Sequence, residues 1–175
     1  MEYKIHVNEI KDMSSILKAG DRVYLTGDVF TSRDAAHKRI KQAIEKGEKL
    51  PYDLENAVIY YVGPTPSPEN LPIGSCGPTT SSRMDPYSPL LLDKGVVAMI
   101  GKGPRNDEVC HAIERNSAVY FCAVGGAGAL LAKSVKKCEV VAYEDLGCES
   151  VKKLTIENLP LVVAIDCNGG NLFKK

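Results

Sequence analysis

The chain has 175 residues, enough for one domain with a true hydrophobic core, and its 44% hydrophobic and 25% charged residues exclude disorder or a fibrous repeat. Lys plus Arg and Asp plus Glu both number 22, so no global field draws the protein toward nucleic acid, and any anion binding has to be local. Met1 to Asn8 lacks the apolar core of a signal peptide, and no apolar run approaches the roughly 20 residues that span a bilayer, so a cytoplasmic protein with no membrane partner is expected.

In chain order, Asp21 to Phe30 mixes β-branched and aromatic residues as a strand does. From Asp34 to Lys46, Ala36, Ile40, Ala43 and Ile44 recur at helical spacing, with Thr31 or Ser32 placed to cap the start and Gly47 the end. Asn56 to Val62 is apolar on successive residues, which suits a strand covered on both faces. Gly63 to Pro89 is then dense in proline, glycine and hydroxyl residues and poor in charge, the composition of an ordered functional loop. Strands are predicted again at Gly95 to Ile100 and Ala118 to Val124 around a helix from Asn106 to Arg115. A short helix is expected in Gly125 to Ser134, and strands at Glu139 to Tyr143 and Leu161 to Ile165. The alternation predicts an α/β chain with a mainly parallel sheet, and the closely spaced C-terminal strands suggest a second, smaller sheet.

Six cysteines, at 76, 110, 122, 138, 148 and 167, form no CxxC pair and no zinc spacing, so most are expected to be small buried residues and no metal site is expected in this chain. Three places put cations beside glycine or hydroxyl residues at strand ends, where open α/β sheets bind ligands. Arg33, in Thr31-Ser32-Arg33-Asp34, lies at a helix start whose dipole is already positive. It either grips an anion or pairs with Asp34 or Asp28. In Gly74 to Asp85, glycines permit close backbone approach, hydroxyls offer donors and acceptors, and Arg83 offers a carboxylate-matching fork. A capped turn explains some of these hydroxyls but not their concentration beside an arginine. Lys102, between Gly101 and Gly103, is either a solvated turn or a charge aimed into a cleft, and the spacing is not that of a P-loop. His37 reads as a surface or packing histidine. The Gly125-Gly126-Ala127-Gly128 turn either cradles an anion or serves tight packing. No Ser-His-Asp relay is visible.

The stretches GDVFTSRDAAHKR, YYVGPTP, GPTTSSRMDPYSPLLLDKG, MIGKG, AVGGAGALLAKSVK and ENLPLVVAIDCNGGNLF resemble, in order and spacing, the C-terminal domain or β subunit of class I, iron-sulfur-dependent fumarases and the related L-tartrate dehydratases. The resemblance covers nearly the whole chain from about residue 20 and implies that residues 1–175 form one domain of that type, a swivelling β/β/α three-layer domain. It also implies a hydro-lyase that interconverts fumarate and L-malate, a C4 dicarboxylate substrate, and a partner α subunit, in an α2β2-type assembly, that binds a 4Fe-4S cluster. Arg33, Thr79, Thr80, Arg83 and Lys102 match the family's substrate-facing positions, with Thr79 and Arg83 carried over as catalytic and Thr79 as the base. Two other readings stay open: the β subunit of an L-tartrate dehydratase, and a non-catalytic anion-binding scaffold.

Overall fold

The computed structural model describes residues 1–123 and 128–175. In chain order the elements are β1 (Glu2–His6), α1 (Ile10–Met13), β2 (Arg22–Thr31), α2 (Asp34–Lys46), β3 (Val58–Tyr60), a 3-10 turn (Ser81–Met84), α3 (Ser88–Asp93), β4 (Ala98–Gly101), α4 (Asp107–Arg115), β5 (Val119–Ala123), α5 (Gly128–Ala132), β6 (Val135–Ala142) and β7 (Val151–Ile165). The predicted α/β alternation is therefore present. Three elements fall outside those predicted: β1 turns Tyr3 and Ile5 inward in alternation but over only five residues, α1 has only four residues, and α3 starts beside a proline at the end of the proline-rich stretch. The expected Gly125 to Ala127 turn lies outside the described residues.

Local chemistry accounts for the elements that carry the site. In β2, Val23, Leu25, Val29 and Thr31 are buried at the period of two that a pleated strand requires. Gly27 interrupts that register with φ +129° where β2 shifts against β7, and a methyl there would press to 2.5 Å from Val7. Helix α2 buries Ala36, His37, Ile40 and Ala43 on one face and stops at Gly47, which is left-handed and donates to Ala43 and Ile44. Helix α4 is capped by the Asn106 side chain, which accepts from the Val109 amide at 2.9 Å.

The described strands form one hydrogen-bonded sheet in the order β1-β2-β3-β4-β5-β7-β6. Strands β1 to β5 pair in parallel with their sequence neighbours. The separate smaller sheet expected at the C-terminus is not seen. Instead β7 runs for 15 residues, antiparallel to β2 on one edge and to β5 and β6 on the other. Its length was hidden in the sequence because Lys152, Lys153, Glu157 and Pro160 interrupt the apolar pattern, although Val151, Leu154, Ile156, Leu159, Leu161 and Val163 are buried.

Because β7 also pairs with β2, strands β2, β3, β4, β5 and β7 close into a ring. Tyr60, Ile100, Phe121, Leu154, Leu161 and Val163 belong to the core inside it. The opposite faces of β3, β4 and β5, through Ile59, Tyr61, Met99 and Tyr120, join Ile40 of α2, Leu91 and Leu92 of α3, and Val109 and Ile113 of α4 in a second core. Truncating a fully buried residue of that seam such as Ile113 to Ala costs about 2–5 kcal/mol, so helices and strands are firmly joined there.

His37 is one of the polar residues packed at that seam. Its ring is fully buried, packed edge-on to Tyr61 at 5.5 Å, with Nδ1 2.8 Å from both the Ser32 hydroxyl and the Arg33 carbonyl. Burial holds its pKa down at about 4, against a partial rise from the hydrogen bond to Arg33, so the ring is neutral at pH 7. Unfolded, it ionises near 6.5. Between those values the unfolded chain binds the extra proton, so the stability tied to His37 is complete above about pH 6.5 and drains away as pH falls toward about 4. The loss is on the order of 3 kcal/mol. Urea midpoints taken from about pH 7 to about pH 4.5 should fall steeply for the native chain and much less for His37→Gln. Equal slopes would remove His37 as the cause.

Candidate functional site

The parallel registers Thr31↔Tyr60 and Tyr60↔Ile100 bring the C-terminal ends of β2, β3 and β4 side by side. Arg33 follows the first, Gly63 the second and Lys102 the third. Between the ends of β3 and β4 the chain returns: the Thr79 amide donates to Tyr61 O at 2.7 Å, Thr80 forms a parallel bridge with Lys102, and the Ser81 amide donates to Lys102 O at 3.0 Å. Sequence positions 33, 61, 79 to 83 and 102 thus meet at one rim. All five residues singled out from the sequence, Arg33, Thr79, Thr80, Arg83 and Lys102, lie on these adjoining segments.

Arg33 holds the N-cap position of α2 in an extended conformation, but no side chain caps the helix. The expected caps are engaged elsewhere: Thr31 donates to Ser150 O and accepts from the Lys152 amide, and Ser32 meets His37. The Arg33 side chain lies across Gly63, where an added methyl would come within 2.9 Å of its Cδ and of one terminal nitrogen. Neither carboxylate considered from the sequence neutralises it. Asp28 accepts from the Thr155 hydroxyl, and Asp34 turns to Arg83 at 2.9 Å. Arg33 Nε is buried without a hydrogen-bond partner among the described residues. A cation at the positive end of a helix, with a donor unfilled, favours an anion.

The Asp34–Arg83 contact is close but poorly aligned, since the same Asp34 oxygen makes no hydrogen bond of good geometry. With the Arg83 side chain 54% exposed, such a pair contributes under about 1 kcal/mol, so Asp34 holds Arg83 only weakly. Thr80, Arg83 and Lys102 are exposed and Thr79 is half-buried, which makes the rim an open ledge rather than an enclosed pocket.

Beneath the ledge sits a cluster the sequence reading did not single out. Arg105 has a fully buried side chain whose Nε donates to Asp85 at 2.6 Å and whose terminal nitrogen donates to Ser88 at 2.6 Å and Tyr61 at 3.3 Å. Its guanidinium lies over the rings of Tyr61 and Tyr120, at 5.2 and 4.9 Å from their centres. Burial opposes the charge, but Tyr61 and Asp85 outweigh it and raise the pKa further. The available signal was that Tyr61 and Tyr120 stand in otherwise apolar strands, where buried phenols need polar partners.

All six cysteines are free, and among the described residues no group of three or more His, Cys, Asp or Glu is placed to hold a metal ion. The described residues therefore present no ligand set for an iron-sulfur cluster. No helix among the described residues is long and apolar enough to cross a membrane.

The ledge depends on close approach at Gly101. A methyl there would collide with the Ser81 hydroxyl and come within 2.9 Å of the Tyr61 ring. Gly101→Ala should lower stability by about 1–3 kcal/mol through overpacking, read as a drop in urea midpoint, and should loosen the Thr80–Lys102 bridge. An unchanged midpoint would mean that Ser81 moves aside freely.

The chain matches over residues 1–175 a family described as Fumarase C-terminus. It is 37% identical over 97% of its length to the protein named fumarate hydratase class I, anaerobic, of Escherichia coli strain K12, and covers 31% of that relative. It is 37% identical over 88% of its length to fumarate hydratase 1, mitochondrial, of Leishmania major, and covers 28% of it. It is also 39% identical, over 100% of its length and 92% of the relative's, to a protein of Methanocaldococcus jannaschii provisionally named L(+)-tartrate dehydratase subunit beta. The chain thus spans about a third of the length of these fumarate hydratases. With the whole chain matched and its motifs gathered on one rim, this protein belongs to the fumarase C-terminal family.

Proposed function

We propose that this chain supplies the substrate-gripping and proton-transfer side of a hydro-lyase site that interconverts fumarate and L-malate, completed by a partner α subunit. The observation that carries the proposal is the meeting of Arg33, Thr79, Thr80, Arg83 and Lys102 on one rim, with the Arg33 Nε unpartnered among the described residues. A C4 dicarboxylate carries two negative ends, and two guanidinium forks with an ammonium complement them.

In this reading Arg33 and Arg83 hold and orient the carboxylates, so that the C3–H bond of malate faces Thr79. Thr79 takes the C3 proton directly or relays it. A hydroxyl is a weak base at neutral pH, and Arg83 and Lys102 are the cations that would stabilise its ionised form. The same cations stabilise the charge that gathers on the neighbouring carboxylate as the proton leaves. The open ledge supports a site closed from the other side by a partner, against which this domain would swivel in an α2β2-type cytoplasmic enzyme. In this reading the 4Fe-4S cluster belongs to the partner, as the family resemblance implies, and would supply Lewis-acid chemistry toward the departing hydroxyl.

A second reading is favoured by the Methanocaldococcus relative, which this chain covers almost completely: a β subunit for tartrate dehydration on the same ledge. Assays of the co-purified complex with fumarate, L-malate and tartrate separate the two. Dicarboxylate binding by the isolated chain, without any co-purifying partner or turnover, would favour a non-catalytic scaffold instead, and turnover by the isolated chain would remove the need for a partner. In the complex, Thr79→Ala should keep folding and partner binding while kcat falls by roughly 10²–10⁴-fold. Arg83→Lys should raise KM roughly ten-fold or more and lower kcat/KM, because the planar fork is lost. Full turnover by Thr79→Ala would take that residue out of the mechanism.

A further inference from the structure

We propose that Arg105 is the positioning residue of this site: one buried guanidinium that fixes the turn carrying Arg83 against the turn carrying Lys102. What the two turns hold depends on the functional reading above, whereas the joining of the turns by Arg105 does not.

Arg105 cannot itself touch a ligand. Its side chain is fully buried, and its donors are directed at Asp85, Ser88, Tyr61 and the Met99 sulfur. Each partner leads back to the ledge. Asp85 stands two residues after Arg83, and its second oxygen accepts from the Asn106 amide at 2.9 Å, so one carboxylate spans both turns. Ser88 donates to Met84 O at 2.9 Å, holding the end of the Arg83 turn to α3. Tyr61 also accepts the Thr79 amide on its carbonyl.

Tyr120, stacked beneath the guanidinium, completes the tie. Its hydroxyl lies 2.8 Å from both the Ser81 hydroxyl and Gly103 O. A carbonyl can only accept, so the phenol donates to Gly103 and accepts from Ser81. Ser81 in turn accepts from the Lys102 amide at 3.0 Å. The resulting chain runs from the Lys102 amide to Ser81, to Tyr120, to Gly103, and closes a loop on the lysine turn. Stability alone does not call for this arrangement, because apolar residues commonly replace a buried ion pair at no loss. The guanidinium contributes direction: a rigid fork that sets where Arg83 and Lys102 leave the backbone.

The test uses two variants of the full chain. Arg105→Lys keeps a positive charge for Asp85 but loses the fork, and Tyr120→Phe keeps the ion pair and ring but loses the donation to Gly103. In Arg105→Lys, hydrogen exchange at the Ser81, Lys102 and Asn106 amides should quicken about ten-fold or more, with amides of the β2–β7 seam unchanged. In Tyr120→Phe the quickening should be confined to Lys102 and Ser81. In the complex with the partner, both variants should raise KM for L-malate more than they lower kcat. Where Arg105→Lys does not fold, Ser88→Ala, which removes one acceptor of the guanidinium fork, takes its place, with quickened exchange at the Ser81 amide expected. Native exchange at Ser81 and Lys102 in a folded variant overturns the positioning role, whatever the enzyme does. Quickened exchange in a chain whose native complex is inert toward fumarate, malate and tartrate upholds the positioning role and removes the functional reading instead.

Discussion

Strand β7 pairs with β2 along one edge and with β5 and β6 along the other, and most of the architecture rests on that antiparallel seam. Without it, β1 to β5 would be an open parallel sheet with one face needing cover. With it, the inner face becomes a closed apolar core, and only the outer face of β3, β4 and β5 requires helices. The ring also explains the location of the site. Parallel strands that share a register end at one level, so the turns after β2, β3 and β4 project from a single rim, and helices α2 and α4 start there.

Charge is handled in opposite ways above and below that rim. Above it, Arg83 and Lys102 are exposed, and the Asp34 pairing is weak. Below it, Arg105 and Asp85 are removed from water, and their mutual attraction is reinforced by Ser88, Tyr61, Tyr120 and the Asn106 amide. Breaking a buried pair of this kind costs about 3–5 kcal/mol, because the abandoned charge has no solvent. Exchangeable contacts therefore sit on a fixed base, the combination a site needs if its cations are to be preorganised and still available. His37 serves the same base from the other side, as a neutral ring held against the backbone that carries Arg33.

Much of this was legible in the residues themselves. The 3.6-residue spacing of Ala36, Ile40 and Ala43, the helix expected from Asn106 to Arg115 and the apolar runs of β3 to β5 each follow from local preference, and each of these elements formed close to where it was expected. Arg33, Arg83 and Lys102 stood out because a cation beside glycine or hydroxyl residues at a strand end is a local pattern. The capping roles expected of Thr31 and Ser32 were legible but wrong. Their hydroxyls had stronger claims from Ser150, Lys152 and His37, two of them more than a hundred residues away.

The amino-acid sequence by itself determined the alternating elements, the family and the identity of the residues on the ledge, since these depend on neighbours a few positions apart. Tertiary structure decided that β7 is one long strand closing a ring rather than part of a separate sheet, because its polar residues are tolerated only where both edges find partners. It also decided that Arg105 is buried and not a solvated neighbour of Lys102. The burial of a charge depends on whether a carboxylate, a hydroxyl and two aromatic faces arrive around it, and Asp85, Ser88, Tyr61 and Tyr120 come together only when the chain is folded.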